Sequence, residues 1–361
     1  MSLKNHFPLI EKKQSVFGLD IGRHEVKFVQ LKSTRHGEKL VGLGSIPLSG
    51  ETVIEGIIAE PEALADTIIE GLAHPARGHI NSRVAIIGLP QAHLFSRIIN
   101  IPAVRHDKLK DAVLWEAQQY IPMPISDLYT DHEIVKTTKD ETGVIRELEI
   151  VLVAAPRAIV DSYIKLCQFS HIQPRAMEVS LNANIRALHP RVEERTATLM
   201  IDAGSVTTDM AIITDYIQVT TTVNIGGDSF TDSIVKRLKI TTDQAEEIKL
   251  KFGVTQSDLQ SKILEAVSPH ITRLSNEIAK LIKYYEERSK STTPIKVSQV
   301  MITGGGSRMP GLAHIISQKT QLPVDISSPW DKQKTSGGQD LPKNLGPIYT
   351  TAYGLAMRGW N

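Results

Sequence analysis

The sequence contains very little cysteine, since Cys167 is the single one among 361 residues. A disulfide framework within the chain is therefore excluded, which suits a reducing compartment. Cys167 ends the apolar stretch Tyr163-Ile164-Lys165-Leu166-Cys167, where a packed thiol is a more frequent role than a nucleophile. The twelve histidines never pair at zinc-ligand spacing, so no histidine-based metal site is predicted.

Long apolar runs and an excess of charge of one sign are also missing. No stretch approaches the roughly 18 apolar residues of a membrane span, and the N-terminus lacks the apolar core and cleavage site of a secretory signal. The formal net charge of +1 is too small to recruit nucleic acid or an anionic membrane through a global field. We therefore expect a cytoplasmic protein with no nucleic-acid partner.

A strand–turn–strand pattern is present twice. In the first copy, the first predicted strand begins at Val16, the turn is Asp20-Ile21-Gly22-Arg23-His24-Glu25, and the second strand ends at Leu31. The second enters at Thr198, turns at 202–208 and leaves through Ile213. Side chains in the flanking runs alternate with the two-residue period of a strand. Duplication of one such unit in a chain of this length predicts two related lobes.

Two segments of different character interrupt these lobes. Residues 83–175 contain strand-like runs and a helical pattern, for which Asp107 is the predicted N-cap. This combination predicts an α+β insert. Residues 229–294 contain a helical stripe, which Ser268-Pro269 is predicted to divide. Trp330–Lys343 is polar and is expected to be an exposed loop. The predicted divisions are a flexible N-terminal segment 1–15, a first lobe 16–82 with 176–195, the insert 83–175, a second lobe 196–228 with 295–361, and a helical insert 229–294.

The two turns are predicted to hold phosphate and a metal ion. Glycine lets backbone N–H groups approach phosphate closely, and Gly22 and Gly204 stand in the two turns. An aspartate ends each entering strand, and such carboxylates hold Mg²⁺ or its waters, so Asp20 and Asp202 are the candidate metal ligands. The alternative is that Asp and Gly populate turns everywhere, but the duplicated frame favours phosphate binding.

Three later segments could complete a nucleotide cleft. Gly226-Gly227 opens a helix, and Glu246 and Lys249 share a helical face from which they could bond a ribose or base. The stretch Gly304-Gly305-Gly306-Ser307-Arg308 follows a strand, so its backbone could face an adenine ring on which Arg308 stacks. The open alternative for this stretch is a tight strand-to-helix turn.

These segments, in this order, resemble the actin, Hsp70 and sugar-kinase superfamily. Gly18-Leu19-Asp20-Ile21-Gly22 with Lys27 is similar to the opening of the type IV pilus PilM proteins and of their cell-division relative FtsA. Residues 97–102, 116–122 and 349–356 are similar to PilM segments specifically. The resemblance covers residues 15–358. It implies an α/β, actin-like (ribonuclease H-like) duplicated two-lobe fold with an FtsA-type inserted α+β subdomain.

The resemblance also implies a site for ATP and Mg²⁺. Asp20 and Asp202 would face the metal, Lys27 would reach the β-phosphate, and the other loops would hold phosphates and nucleoside. Arg23-His24 stands where the family has small hydroxyl residues, so it adds charge against the γ-phosphate or crowds it. The complete set of implied nucleotide contacts is Asp20, Gly22, Arg23, His24, Lys27, Gly204, Ser205, Thr207, Thr208, Gly226, Gly227, Glu246, Lys249, Gly304, Gly305, Ser307 and Arg308.

The implied function is that of an assembly-platform protein, at most a slow ATPase, at the inner face of the cytoplasmic membrane. Its partner would be the N-terminal cytoplasmic tail of PilN, bound in a groove between the first lobe and the insert, with membrane attachment only through that partner. Other platform proteins and self-association are further expectations. Two alternatives stay open: a small-molecule kinase with Asp209 as its base, and an FtsA-like filament, whose basic amphipathic anchor helix has no room at Met357–Asn361.

Overall fold

The computed structural model describes residues 15–35, 37–48, 50–190, 196–255, 257–288, 295–330 and 343–359. Residues 1–14 of the predicted N-terminal segment and most of the predicted loop 330–343 lie outside the described residues. Within the described ranges, no helix has the length and apolar character needed to cross a membrane.

Strands and helices follow one another along most of the chain. The strands are β1 (Phe17–Ile21), β2 (Glu25–Thr34), β3 (Gly37–Pro47), β4 (Val53–Ile54), β5 (Ile57–Ile58), β6 (Arg77–Gly78), β7 (Val84–Leu89), β8 (Phe95–Pro102), β9 (Leu128–Lys139), β10 (Ile145–Pro156), β11 (Gln173–Val179), β12 (Thr196–Ala203), β13 (Thr208–Ile213), β14 (Ile217–Val223), β15 (Lys296–Thr303) and β16 (Val324–Ile326). The α-helices are α1 (Pro61–Ala73), α2 (His106–Ala117), α3 (Arg157–Phe169), α4 (Ser180–Leu188), α5 (Gly227–Leu238), α6 (Thr242–Lys251), α7 (Gln260–Arg288), α8 (Leu312–Thr320) and α9 (Thr350–Arg358). Short 3₁₀ helices occupy Gln91–His93, Ile125–Asp127, Gly305–Arg308 and Lys343–Tyr349.

Two sheets repeat one topology, which confirms the predicted duplication. The first has the order β11-β7-β1-β2-β3-β6 and the second the order β14-β13-β12-β15-β16. In each sheet an antiparallel pair, β1–β2 or β12–β13, adjoins a strand that runs parallel to the entering strand, β7 or β15. Asp20 and Asp202 therefore lie at equivalent ends of equivalent strands.

A third sheet, of order β8-β10-β9, forms the insert together with α2. This insert spans Phe95–Pro156 and is narrower than the predicted 83–175. Strand β7 pairs with β1 in the first sheet, and α3 packs into the first core through Tyr163 and Leu166. The sequence pattern identifies these elements as a strand and a helix, but periodicity does not specify which sheet a strand joins.

Two predicted helix boundaries are wrong. Helix α7 continues through Pro269, because the buried stripe that includes Val267 and Ile271 stays on one face across the proline, and its burial outweighs the lost hydrogen bond. Helix α2 begins at His106 with Arg105 at the capping position, so Asp107 lies in the first turn and is not the N-cap.

The last helix, α9, packs on the first sheet, although its residues were predicted to belong to the second lobe. Its apolar side chains pack with Val29, Leu31 and Leu43 of that sheet. Two close backbone contacts hold it there. A Cβ atom at Gly18 would lie 2.0 Å from the Ala352 carbonyl oxygen, and one at Gly354 would lie 1.8 Å from the Ala183 carbonyl oxygen.

We expect Gly354→Ala to destabilise the protein by at least about 1–3 kcal/mol, because the added methyl group forces α9 and α4 apart. Urea denaturation of the ligand-free protein measures the change. The control is Gly305→Ala, where the new Cβ would meet only Ile348 Cγ2, at 4.0 Å. Equal stability of the two variants would contradict the tight crossing of α4 and α9.

Candidate functional site

The first turn places a carboxylate and an ammonium group side by side. The register of β1 and β2 sets Asp20 opposite Lys27, and Lys27 Nζ lies 3.9 Å from Asp20 Oδ2 and 3.3 Å from Glu25 Oε1. The Gly22 N–H closes the turn by donating to the Glu25 carbonyl oxygen at 3.0 Å. Burial raises the pKa of Asp20, although Lys27 acts in the opposite direction. Burial acts to lower the Lys27 pKa, but Asp20 and Glu25 raise it overall.

The second turn presents a carboxylate that is also partly shielded from water. Asp202 ends β12, and the Gly204 N–H donates to the Thr207 carbonyl oxygen at 2.9 Å. Burial raises the Asp202 pKa to about 7, and the charges of Asp209 and Asp20 add to the rise. The charge of Asp20 contributes to this rise, so the two predicted metal ligands, which belong to separate lobes, lie near enough to interact electrostatically.

Asn184 is the functional residue that the sequence prediction missed. It is fully buried on α4, and its Nδ2 donates to Asp202 Oδ2 at 2.6 Å. Its Oδ1 accepts from Thr351 Oγ1 of α9 at 2.9 Å. An amide among the apolar buried positions of a short helix was the signal that could have found it, since buried polar groups need partners.

A third acidic side chain lies behind the second turn. Asp209 stands opposite Asp202 in the register of β12 and β13, and it accepts a hydrogen bond from Thr222 Oγ1 at 2.5 Å. Burial raises its pKa to about 6. Asp209 is thus engaged within its own sheet.

The carboxylates of Asp20 and Asp202 suit a hard cation whose remaining ligands are phosphate and water. The part of the chain that the structure describes holds no cluster of three or more His, Cys, Asp or Glu side chains that could bind a metal ion alone. Mg²⁺ is commonly held by one or two carboxylates, with phosphate and water as its remaining ligands. Asp20 and Asp202 match that requirement, and a cation between them would offset the cost of ionising desolvated carboxylates.

The predicted glycine turn packs against the second predicted phosphate loop. The N–H groups of Gly227 and Asp228 donate to the carbonyl oxygens of Gly204 and Ser205 at 2.9 and 2.8 Å. A Cβ at Gly226 would lie 2.3 Å from the Ser205 oxygen, so only glycine fits. Thr207 and Ser205 are half-buried in this loop.

Several predicted side-chain donors are already paired within the protein. Thr208 Oγ1 donates to the Ile225 carbonyl oxygen at 2.7 Å, and Ser307 Oγ donates to the Gly304 carbonyl oxygen at 2.7 Å. Both side chains are buried. Their hydroxyl groups therefore support the loops and are not presented to the cleft.

Lys249 and Glu246 are likewise linked to each other and to the start of α5. Lys249 Nζ is buried, donates to the Gly227 carbonyl oxygen at 3.1 Å and to Thr231 Oγ1 at 2.8 Å, and lies 2.6 Å from Glu246 Oε2. Although burial acts to raise the Glu246 pKa, hydrogen bonds from Lys249 and Thr231 lower it overall. This cluster joins α6 to α5, and Glu246 keeps an exposed edge.

The glycine loop after β15 approaches Asp202. Gly304 has a φ of +82°, and a Cβ there would lie 2.3 Å from Asp202 Oδ1. Glycine is therefore required for both the conformation and the space. Gly305 is exposed and Arg308 is half-buried in the short 3₁₀ helix that follows.

Arg23 and His24 point in different directions. Arg23 Nη1 donates to the Val53 carbonyl oxygen at 2.9 Å, and its Nη2 lies 3.3 Å from Glu51 Oε1, so its charge stays within the first lobe. His24 reaches across the cleft, where Nε2 lies 2.9 and 2.8 Å from the two carboxylate oxygens of Asp228.

The buried acid predicts a pH-dependent effect of Asp202→Asn. Because the folded-state pKa of about 7 exceeds the ordinary value of 3.8, the carboxyl group contributes most to stability below about pH 4. That contribution is lost as the pH rises through 7. Asparagine has no proton to lose, so the melting temperature of the variant relative to wild type should rise by several degrees between pH 4 and 8.

Calorimetry of the ligand-free proteins measures this difference. Asp209→Asn is the comparison. Its melting temperature relative to wild type should also rise with pH, but this rise should be complete nearer pH 6. A difference between Asp202→Asn and wild type that stays constant with pH would contradict the desolvation of Asp202.

Comparison with solved structures shows that the chain shares its fold with known proteins. A chain of the solved PilM-PilN type IV pilus biogenesis complex superposes with a TM-score of 0.81 at 23% identity, covering 97% of this chain and 99% of that one. MreB 5 of Spiroplasma citri, solved with AMPPNP bound, superposes with a TM-score of 0.52 at 14% identity over 95% of each chain. The predicted α/β, actin-like fold is thereby confirmed.

The sequence comparisons agree with the structural ones. Cell division protein FtsA of Pseudomonas aeruginosa is 24% identical over 392 residues, which cover 97% of this chain and 90% of FtsA. The family model of the type IV pilus assembly protein PilM matches residues 18–360. Because that match covers nearly the whole chain, the protein belongs to the PilM family.

Proposed function

We propose that this protein binds Mg-ATP between its lobes and acts as a cytoplasmic component of the type IV pilus inner-membrane assembly platform. The observation that carries the nucleotide proposal is the placement of Asp20 and Asp202 at equivalent strand ends of two related sheets, near enough for their charges to interact. The likeness to MreB 5, a protein solved with AMPPNP bound, supports the same proposal. Family membership supports the role in pilus assembly.

The residues around the cleft divide into two roles under this proposal. Asp20 and Asp202 hold Mg²⁺, which screens the phosphate charge, and the Lys27 ammonium group binds phosphate directly. The exposed backbone of Gly305 and the half-buried turn at Gly204 approach the nucleotide. Buried side chains such as Lys249 and Thr208 hold the loops in position, because their hydrogen bonds are made within the protein.

Slow hydrolysis at most is expected from this arrangement. Asp209, which a kinase would need as its base, is half-buried in its sheet and accepts a hydrogen bond from Thr222. A general base must lie within reach of the hydroxyl group it deprotonates. The geometry therefore favours a protein whose conformation depends on ATP over a small-molecule kinase.

The partner that we propose is the N-terminal cytoplasmic tail of PilN, at the inner face of the cytoplasmic membrane. A cavity of about 320 Å³ lies between the insert and the second lobe. It is lined by residues 94–97 and 120–121 of the insert side and by 220–222 of β14. Both β8 and β14 are edge strands of their sheets, and edge strands accept extended peptides through unpaired N–H and C=O groups. The groove thus adjoins the second lobe as well as the first-lobe side expected from the sequence.

We expect Mg-ATP to raise the melting temperature of the purified protein by a few degrees. At about 100 times Kd, binding to the native state alone contributes roughly 2.7 kcal/mol. Asp20→Asn and Asp202→Asn should each abolish the magnesium dependence of this shift, whereas Asp66→Asn, an exposed change on α1, should retain it. An unchanged melting curve of the wild type at millimolar Mg-ATP would overturn the nucleotide proposal.

The peptide groove predicts that bulky side chains on its walls block PilN binding. Ser96→Trp and Thr221→Trp place a large ring on β8 and β14, and each should weaken binding of the cognate PilN tail peptide by at least about tenfold. Calorimetric titration into the full-length protein measures the affinity. Thr137→Trp, an equally large change on the exposed outer strand β9, is the matched control. Wild-type affinity in both groove variants would place the peptide site elsewhere.

A further inference from the structure

We propose that His24 and Asp228 form a latch that holds the two lobes together across the mouth of the cleft and slows nucleotide exchange. The part that concerns exchange rests on the proposed nucleotide function, whereas the part that concerns lobe closure does not. His24 Nε2 lies 2.9 and 2.8 Å from the two carboxylate oxygens of Asp228, which is 204 residues away in the chain. One imidazole group therefore links the first predicted phosphate loop to the start of α5, which packs against the second predicted phosphate loop.

Both ends of the latch are fixed to the loops that carry them. The His24 carbonyl oxygen accepts the Leu48 N–H at 2.7 Å, and the Gly22–Glu25 hydrogen bond closes the same turn. On the other side, the Asp228 N–H donates to the Ser205 carbonyl oxygen at 2.8 Å in the second loop. Breaking the side-chain contact separates the loops without unfolding either of them.

The exposure of the pair sets the strength of the latch. The side chains of His24 and Asp228 are 59% and 39% exposed, and exposed pairs of this kind shift an equilibrium by about two- to fivefold. Such a factor shifts the population toward joined lobes yet permits opening. Arg23 contributes nothing to the latch, because its partners Val53 and Glu51 lie in its own lobe.

Lobe separation can be measured without nucleotide. Spin labels at Glu62→Cys on α1 and Glu247→Cys on α6 report the distance between the lobes, because both positions are exposed and the native Cys167 is buried. We expect His24→Ala to increase the open population about two- to fivefold. Glu51→Ala, which breaks the Arg23–Glu51 ion pair within one lobe, should leave the distribution unchanged. Identical distributions in wild type and His24→Ala would overturn the latch.

Nucleotide release distinguishes a latch from a simple phosphate contact. A fluorescent ATP analogue should dissociate about two- to fivefold faster from His24→Ala, from Asp228→Ala and from the double variant alike, because each removes the same hydrogen-bonded contact. Faster release from His24→Ala alone would show that His24 binds phosphate and that Asp228 plays no part, which would overturn the role in exchange. If the analogue fails to bind wild type, the proposed nucleotide function fails, while the distance measurement still decides the latch.

Discussion

A carboxylate held away from water at the meeting point of several elements is the constraint on which the rest of this structure depends. Asp202 ends β12, accepts a hydrogen bond from Asn184 and has a pKa raised to about 7 by burial. A desolvated acid is costly unless partners or a cation compensate it. The surroundings are adapted to that requirement, since Asn184 donates one hydrogen bond and Gly304 leaves room that any side chain would fill.

The same carboxylate links the site to the joint between the lobes. Asn184 connects Asp202 to Thr351 of α9, and α9 packs on β1 and on α4 at distances that only Gly18 and Gly354 allow. At the base of the cleft the two lobes are therefore joined by backbone packing and buried hydrogen bonds, which resist change. At the mouth they are joined by an exposed side-chain contact, which yields readily. That contrast favours hinge motion about the base as the way the cleft opens.

Features of this structure that depend on neighbouring residues could be predicted from the sequence, whereas features that depend on contacts between distant segments could not. The duplicated turns and the strand-end aspartates follow local periodicity and turn chemistry, and both lie where they were predicted. The assignment of β7 and α3 to the first lobe depends on strand pairing between distant segments, which periodicity does not contain. Ser268-Pro269 locally predicted a break, but α7 continues through Pro269 because burial of its apolar stripe outweighs that local preference.

Side-chain roles within the site were harder to predict than positions, for a related reason. A threonine or lysine in a glycine-rich segment suggests a ligand contact, but its nearest acceptor can be a backbone carbonyl group several elements away. Thr208 and Lys249 both illustrate this, because Ile225 and Gly227 take their hydrogen bonds. His24, which was predicted to lie against phosphate, likewise has its hydrogen-bond partner, Asp228, on the opposite lobe.

The proposed peptide groove and the proposed nucleotide cleft share one sheet. Thr222, Asp209 and Asp202 stand in register on β14, β13 and β12. Thr222 lines the groove, and Asp202 is the proposed metal ligand. The Thr222–Asp209 hydrogen bond lies between them, and the charge of Asp209 raises the pKa of Asp202. A peptide that moved the Thr222 side chain would remove the hydrogen bond that Asp209 accepts. The altered Asp209 would in turn change the electrostatic potential at Asp202, the carboxylate that we assign to the metal. In this geometry the two sites are separated by one strand, so coupling between them needs no large rearrangement.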